Sequence, residues 1–326
     1  MQEKYYVQPP RGGLKPGLSF GYVDVPQHLT PDKRPFLDSL TKASLEVQQQ
    51  IRKGREIDIP TRDVWIDANG RKTMLRLFLP QGEGPFPLVL YCHGGGFAIR
   101  NVDCFDYIGR YLAKNGPAVV VMPEYALAPE PPFPTQLEQC CGALRWARAH
   151  AQELCADEMR DVVAGDSAGG NLSAAICLKF RDEGLRQPAM QILAYPVTDA
   201  VEGCGRESER LYATGYNLDY QHLLAYNEAY ASAKQRELPY VSPLRAKTLN
   251  HLAPCYMISA ECDILIDQGL AYLQRLKEAG VPTGLRIFRG MPHDFLFFDY
   301  DESYEAYDLM CRLIEKTGAA DALDNL

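Results

Sequence analysis

Gly165-Asp166-Ser167-Ala168-Gly169 decides how this chain is read. It follows the strand-like run Asp161-Val162-Val163-Ala164 and leads into a stretch of small residues that includes Gly170, Ser173, Ala174 and Ala175. An apolar run, glycines bracketing a serine, and a helix opened by small side chains describe a sharp strand-turn-helix that exposes the serine hydroxyl. Bulky side chains after Ser167 would push the helix away from the strand. Ser167 is therefore the candidate nucleophile. The plainer reading, a serine that only caps a helix, accounts for the hydroxyl but not for the paired glycines.

Outward from this turn, short apolar runs alternate with helical patterns from about Lys72 onward, the mark of parallel strands joined by crossover helices. Pro87 to Cys92 and Pro117 to Met122 read as strands buried on both faces. Further strands are expected at Met190 to Tyr195, Pro254 to Ser259 and Gly284 to Phe288. Helices are expected near Cys104 to Asn115, from Pro134 to about Glu153 with Trp146 on the apolar stripe, from Ile266 to Ala279 and from Glu302 to Lys316. The expected fold class is α/β, with a mostly parallel central sheet flanked by helices.

Two segments fall outside that rhythm. About residues 1–50 begin with prolines and glycines and then carry Leu37, Leu40 and Leu45 near helical spacing. About residues 200–250 are rich in charged and aromatic residues, with a helix expected near Asp219 to Tyr230. Both are expected to pack as a helical cap over the carboxyl ends of the strands, where ligands of open α/β sheets bind. Residues 1–326 then form a single catalytic domain.

Composition narrows the function. A net charge of −8 and a pI near 5.4, with no basic run, argue against a nucleic-acid partner or an anionic membrane surface. Met1-Gln2-Glu3-Lys4-Tyr5 lacks a signal-peptide pattern, and no apolar stretch is long enough for stable membrane insertion. The expected location is the cytoplasm. Cys92, Cys177 and Cys255, among ten cysteines, sit in apolar patterns where a thiol acts as a small hydrophobe, and no pair has a common zinc spacing. No metal and no cofactor is expected. The sequence leaves the oligomeric state open, a homo-oligomer included.

Upstream of the serine, His93-Gly94-Gly95-Gly96-Phe97 ends an expected strand. Consecutive glycines let backbone amides turn toward a negative oxygen that side chains would otherwise block. Gly94 and Gly95 are the preferred donors, joined by Ala168, whose N–H lies at the start of the helix after the nucleophile. His93 reads as a loop-ordering residue. Among His28, His93, His150, His222, His251 and His293, only His293 follows the last expected strand in a short loop, so it is the candidate base. Asp263 follows the Cys255 to Ser259 strand and is the candidate acid, with Asp267 and Asp294 as alternatives.

The chain resembles the hormone-sensitive-lipase family of α/β-hydrolases, particularly its bacterial acetyl-esterase-like members. The resemblance rests on the stretch from His93 to Phe97, on Glu124-Tyr125-Ala126-Leu127-Ala128-Pro129-Glu130 with Pro131-Pro132-Phe133-Pro134, and on Gly165 to Asn171. Ser242-Pro243-Leu244, Asp263-Ile264-Leu265 and His293 extend it. It implies a Ser167-Asp263-His293 triad, oxyanion amides from Gly94, Gly95 and Ala168, and a two-segment cap. The family usually carries arginine at the place of Ala126, proline at Ile264 and glutamate at Gln268. The function expected is a serine carboxylesterase that hydrolyses short-chain acyl esters through an acyl-enzyme, its partner a small-molecule acyl ester. An amidase or arylformamidase uses the same groups, and a ligand receptor on an inactive scaffold is the remaining alternative.

Overall fold

Strands form where both faces of the chain are apolar. In the computed structural model, which describes residues 11–18, 24–319 and 323, eight strands make one sheet in the order β1-β2-β4-β3-β5-β6-β7-β8. They are β1 (Thr61–Ala68), β2 (Arg71–Phe78), β3 (Phe86–Cys92), β4 (Val119–Glu124), β5 (Ala156–Asp166), β6 (Met190–Ala194), β7 (Cys255–Cys262) and β8 (Thr283–Pro292). From β4 to β8 all neighbours run parallel; β1, β2 and β4 pair antiparallel. This is the mostly parallel α/β architecture expected.

Alternate residues of one strand feed two cores. Val119 and Val121 belong to the core on the side of α3 (Thr135–Ala149), α4 (Ala168–Asp182) and α8 (Ile266–Glu278), while Val120 and Met122 belong to the core on the side of α2 (Asp106–Asn115) and α9 (Asp301–Lys316). Both faces are covered by helices, so the central strands read as unbroken apolar runs rather than as alternation. Cys92, Cys177 and Cys255 are buried within these cores.

The core does not begin near Lys72. β1 lies before it, and its burial alternates because one face of this edge strand meets water, leaving Trp65 70% exposed. Asn69-Gly70, both at positive φ, turns β1 into β2. β5 likewise begins earlier than the Asp161 to Ala164 run, through exposed Glu158 and Met159, and its pairing with β3 is irregular between Pro87 and Leu88.

The other helices are α1 (Arg34–Ile51), α5 (Glu207–Leu211), α6 (Tyr220–Tyr230) and α7 (Ala233–Arg236). α1 and α6 wall a cavity above the strand ends through Leu40, Ala43 and Val47 on one side and Leu223 and Tyr226 on the other. His28, just before α1, bonds Glu228 of α6 at 2.8 Å. The parts of the expected cap at residues 1–10 and 19–23 lie outside the described residues. No helix among the described residues is long and apolar enough to cross a membrane.

Candidate active site

Four carboxyl-terminal strand ends meet at one place, and each brings one part of the site. β3 ends in the glycine loop, β5 in Ser167, β7 just before Asp263 and β8 just before His293. Ser167 adopts φ 54° and ψ −115°, a conformation a side chain rarely takes, costing about 1 to 3 kcal/mol. Its N–H donates to the Ala194 carbonyl at 2.9 Å, and its own carbonyl accepts from Asn171 and Val197, which hold the turn in place. A Cβ on Gly169 would lie 1.9 Å from the Cys92 carbonyl oxygen, so α4 can start this close to β3 only with glycine there.

Ser167, His293 and Asp263 are brought together although they are far apart in sequence. His293 Nε2 lies 2.9 Å from Ser167 Oγ, and His293 Nδ1 lies 2.8 Å from Asp263 Oδ2. An ionised carboxylate only accepts, so Nδ1 donates to it and the neutral ring leaves Nε2 to accept the serine proton. The other Asp263 oxygen accepts the Leu265 N–H at 2.8 Å, which fixes the carboxylate's orientation. Burial pushes the imidazole of His293 down, yet Asp263 beside it, with Asp294 and Asp166 nearby, more than offsets this and holds it above the ordinary 6.5.

The alternatives to these residues are engaged elsewhere. Asp267 pairs with Arg11 and accepts the Ser208 N–H; Asp294 pairs with Arg100. His93 is buried against Tyr125, with ring centroids 4.2 Å apart, and its Nδ1 contacts the Gly94 carbonyl at 2.8 Å. Burial pushes its imidazole down to about 4, so it stays neutral and orders the loop.

The glycine loop requires one correction. Gly94, expected as an oxyanion donor, points its N–H inward to Asp166 Oδ1 at 3.0 Å, an oxygen that also accepts from the Tyr91 hydroxyl at 2.9 Å. Its amide therefore does not face the cavity. Gly95 and Gly96 line the cavity beside Ser167, and neither amide has an acceptor among the described residues. Gly95 sits at φ 114°, and a Cβ there would meet the Ile99 carbonyl at 2.3 Å. Nothing in a run of identical glycines distinguishes the inward amide from the outward ones; that depends on the buried Asp166, whose carboxyl burial pushes up to about 7.

The cavity encloses about 540 Å³ and is walled largely by apolar side chains, with Ser167 and His293 at its floor. Gln268, at the place where the resembling family usually carries glutamate, accepts the N–H groups of Thr198 and Asp199 through Oε1, as a carboxylate oxygen would. Among the described residues no group of histidine, cysteine and carboxylate side chains has the arrangement of a metal site.

A family model described as alpha/beta hydrolase fold matches residues 89–297. An ethyl acetate hydrolase of Pseudomonas putida is 35% identical across 74% of this chain and 75% of its own length. An arylesterase of Saccharolobus solfataricus is 32% identical across 82% of this chain and 92% of its own. Among solved structures, a thermostable carboxylesterase cloned from a metagenomic library superposes with a TM-score of 0.82 at 32% identity, covering 88% of this chain and 97% of that one.

Proposed function

The chain belongs to the hormone-sensitive-lipase family of α/β-hydrolases and is a carboxylic ester hydrolase, and from that premise we propose that it is a serine esterase of short-chain acyl esters. The observation that carries the reading is the chain of contacts from Ser167 through His293 to Asp263, opening on an apolar cavity. Ser167 Oγ attacks the ester carbonyl carbon as its proton passes to His293 Nε2, and the carbonyl electrons move onto oxygen. The amides of Gly95, Gly96 and Ala168 receive that oxyanion, each such donor being worth about 3 to 4 kcal/mol in the transition state. Collapse expels the alcohol, which takes the proton from His293. Water, activated by the same ring, then releases the acid from Ser167.

Residues 1–326 act as one catalytic unit in this reading, with the segments of about 1–50 and 200–250 as its cap. The cavity volume of about 540 Å³ is that of a pocket enclosing one small ligand. Acetyl to about hexanoyl esters are expected to be favoured over long-chain lipids, a preference supported by the acetyl-esterase-like resemblance and by the similarity to an ethyl acetate hydrolase. The test is an acyl-chain profile on purified protein, from acetate to long fatty esters. Faster hydrolysis of emulsified long-chain triglyceride than of dissolved acetate esters would overturn the reading in favour of a lipase.

The pH dependence follows from His293. Its imidazole is held above 6.5, so it stays protonated to a higher pH than a free histidine, and a protonated ring cannot take the serine proton. As pH falls, kcat/KM is expected to drop along a limb whose midpoint lies above 6.5. A flat profile, or a midpoint at or below that of free histidine, would contradict the role given to this ring.

A further inference from the structure

Beside the serine and histidine lies an ionic contact that the reaction above does not use. Arg100 closes the glycine loop and Asp294 directly follows His293; Arg100 Nη1 and Nη2 donate to the two Asp294 carboxylate oxygens at 3.0 and 2.5 Å. Their side chains are 12% and 6% exposed, and both residues line the cavity. The guanidinium lies 3.8 Å from the centre of the Phe297 ring. Each residue sits at φ 69°, which an aspartate tolerates and an arginine rarely adopts. The Arg100 N–H is held in turn by Thr41 Oγ1 of α1 at 2.8 Å.

A buried ion pair is a weak source of stability, because taking two charges out of water offsets most of their attraction. Its position is more telling than its energy. It ties the loop that carries the oxyanion amides to the loop that carries the base. The groups facing His293 are the carboxyls of Asp263, Asp294 and Asp166, with the Tyr195 ring 5.0 Å away. Asp219, His222 and Tyr226 of the 219–226 stretch form the cavity wall opposite. Arg100 is the cation set against these carboxylates, acting on both Asp294 and Asp166.

Resting on the serine-esterase reading, we propose that Arg100 is a positioning residue for the reaction: its two-pronged bond to Asp294 aligns the histidine loop with the oxyanion loop and sets a cation against a carboxylate that acts on His293, limiting its pull on the ring. Removing the guanidinium alone leaves Asp294 uncompensated, which favours the protonated ring. Removing the carboxylate alone leaves a lone buried cation, which favours the neutral ring. Asp166 titrates in response and opposes each change, so it reduces these shifts without reversing their sign.

The experiment compares Arg100→Gln, Asp294→Asn and the double variant with the unaltered protein. It measures the pH dependence of kcat/KM on a soluble acetate ester and of Ser167 labelling by a fluorophosphonate. The acid limb is expected to move up in Arg100→Gln and down in Asp294→Asn, each by about half a pH unit or more, and to return near its original position in the double variant. A role in folding alone would lower all rates without moving the limb in opposite senses. Should Arg100→Gln fail to fold, the downward shift in Asp294→Asn and its reversal in the double variant carry the same decision. Limbs that coincide in every folded variant would overturn the proposal. An unaltered protein with no acid limb and no label on Ser167 would instead overturn the esterase reading beneath it.

Discussion

Ser167→Ala is expected to lose about six orders of magnitude in kcat while remaining folded. The methyl group fits the turn as well as the hydroxymethyl does, because the hydrogen bonds that hold φ 54° at this position run through its backbone N–H and carbonyl, to Ala194, Asn171 and Val197. The substitution removes the one atom that forms the acyl-enzyme. The amides of Gly95, Gly96 and Ala168 remain, so a residual acceleration of about 10³ to 10⁴ over water is expected through binding and oxyanion stabilisation alone. Circular dichroism should match the unaltered protein, and a fluorophosphonate that adds one group at Ser167 should add none to the variant. Turnover like that of the unaltered protein, or a label on another serine, would remove Ser167 from the reaction.

How much of this was legible in the sequence depended on whether the determinant was local. The turn at Ser167 was legible because its requirements are local: an apolar strand, a glycine where α4 passes Cys92, and small residues to follow. The strands from β3 to β7 were legible because helices cover both faces and leave apolar runs, whereas β8, at the sheet edge and half exposed, shows only the shorter run from Gly284 to Phe288. β1 was missed because an edge strand with one wet face shows only alternation, and Thr61-Arg62-Asp63 hides it; Asn69-Gly70 between two such runs was the signal that could have found it. The direction of the Gly94 amide and the pairing of Arg100 with Asp294 had no signal at all. Both depend on which buried carboxylate the fold brings from another strand end, Asp166 in one case and the residue after His293 in the other.

The choice of acid among three aspartates was open in the sequence, and it yields the second large effect. Asp263→Asn is expected to lower kcat about 10⁴-fold with little change in KM. One Asp263 oxygen accepts the Leu265 N–H at 2.8 Å while the other faces His293 Nδ1 at 2.8 Å. In the variant the amide oxygen keeps the bond to Leu265, since the alternative would set two N–H donors against each other. The amide NH₂ then faces Nδ1, which must become an acceptor, and the ring proton moves to Nε2. Ser167 Oγ is left 2.9 Å from a donor and has nowhere to deliver its proton. Shape and charge in the rest of the cavity are unchanged, so substrate binds as before and only the transition state suffers. Asp267→Asn serves as the comparison, because that carboxylate is held by Arg11 and the Ser208 N–H, and its loss should leave kcat little altered. A collapse of kcat in Asp267→Asn, with Asp263→Asn still active, would show that the histidine takes its tautomer from a different partner.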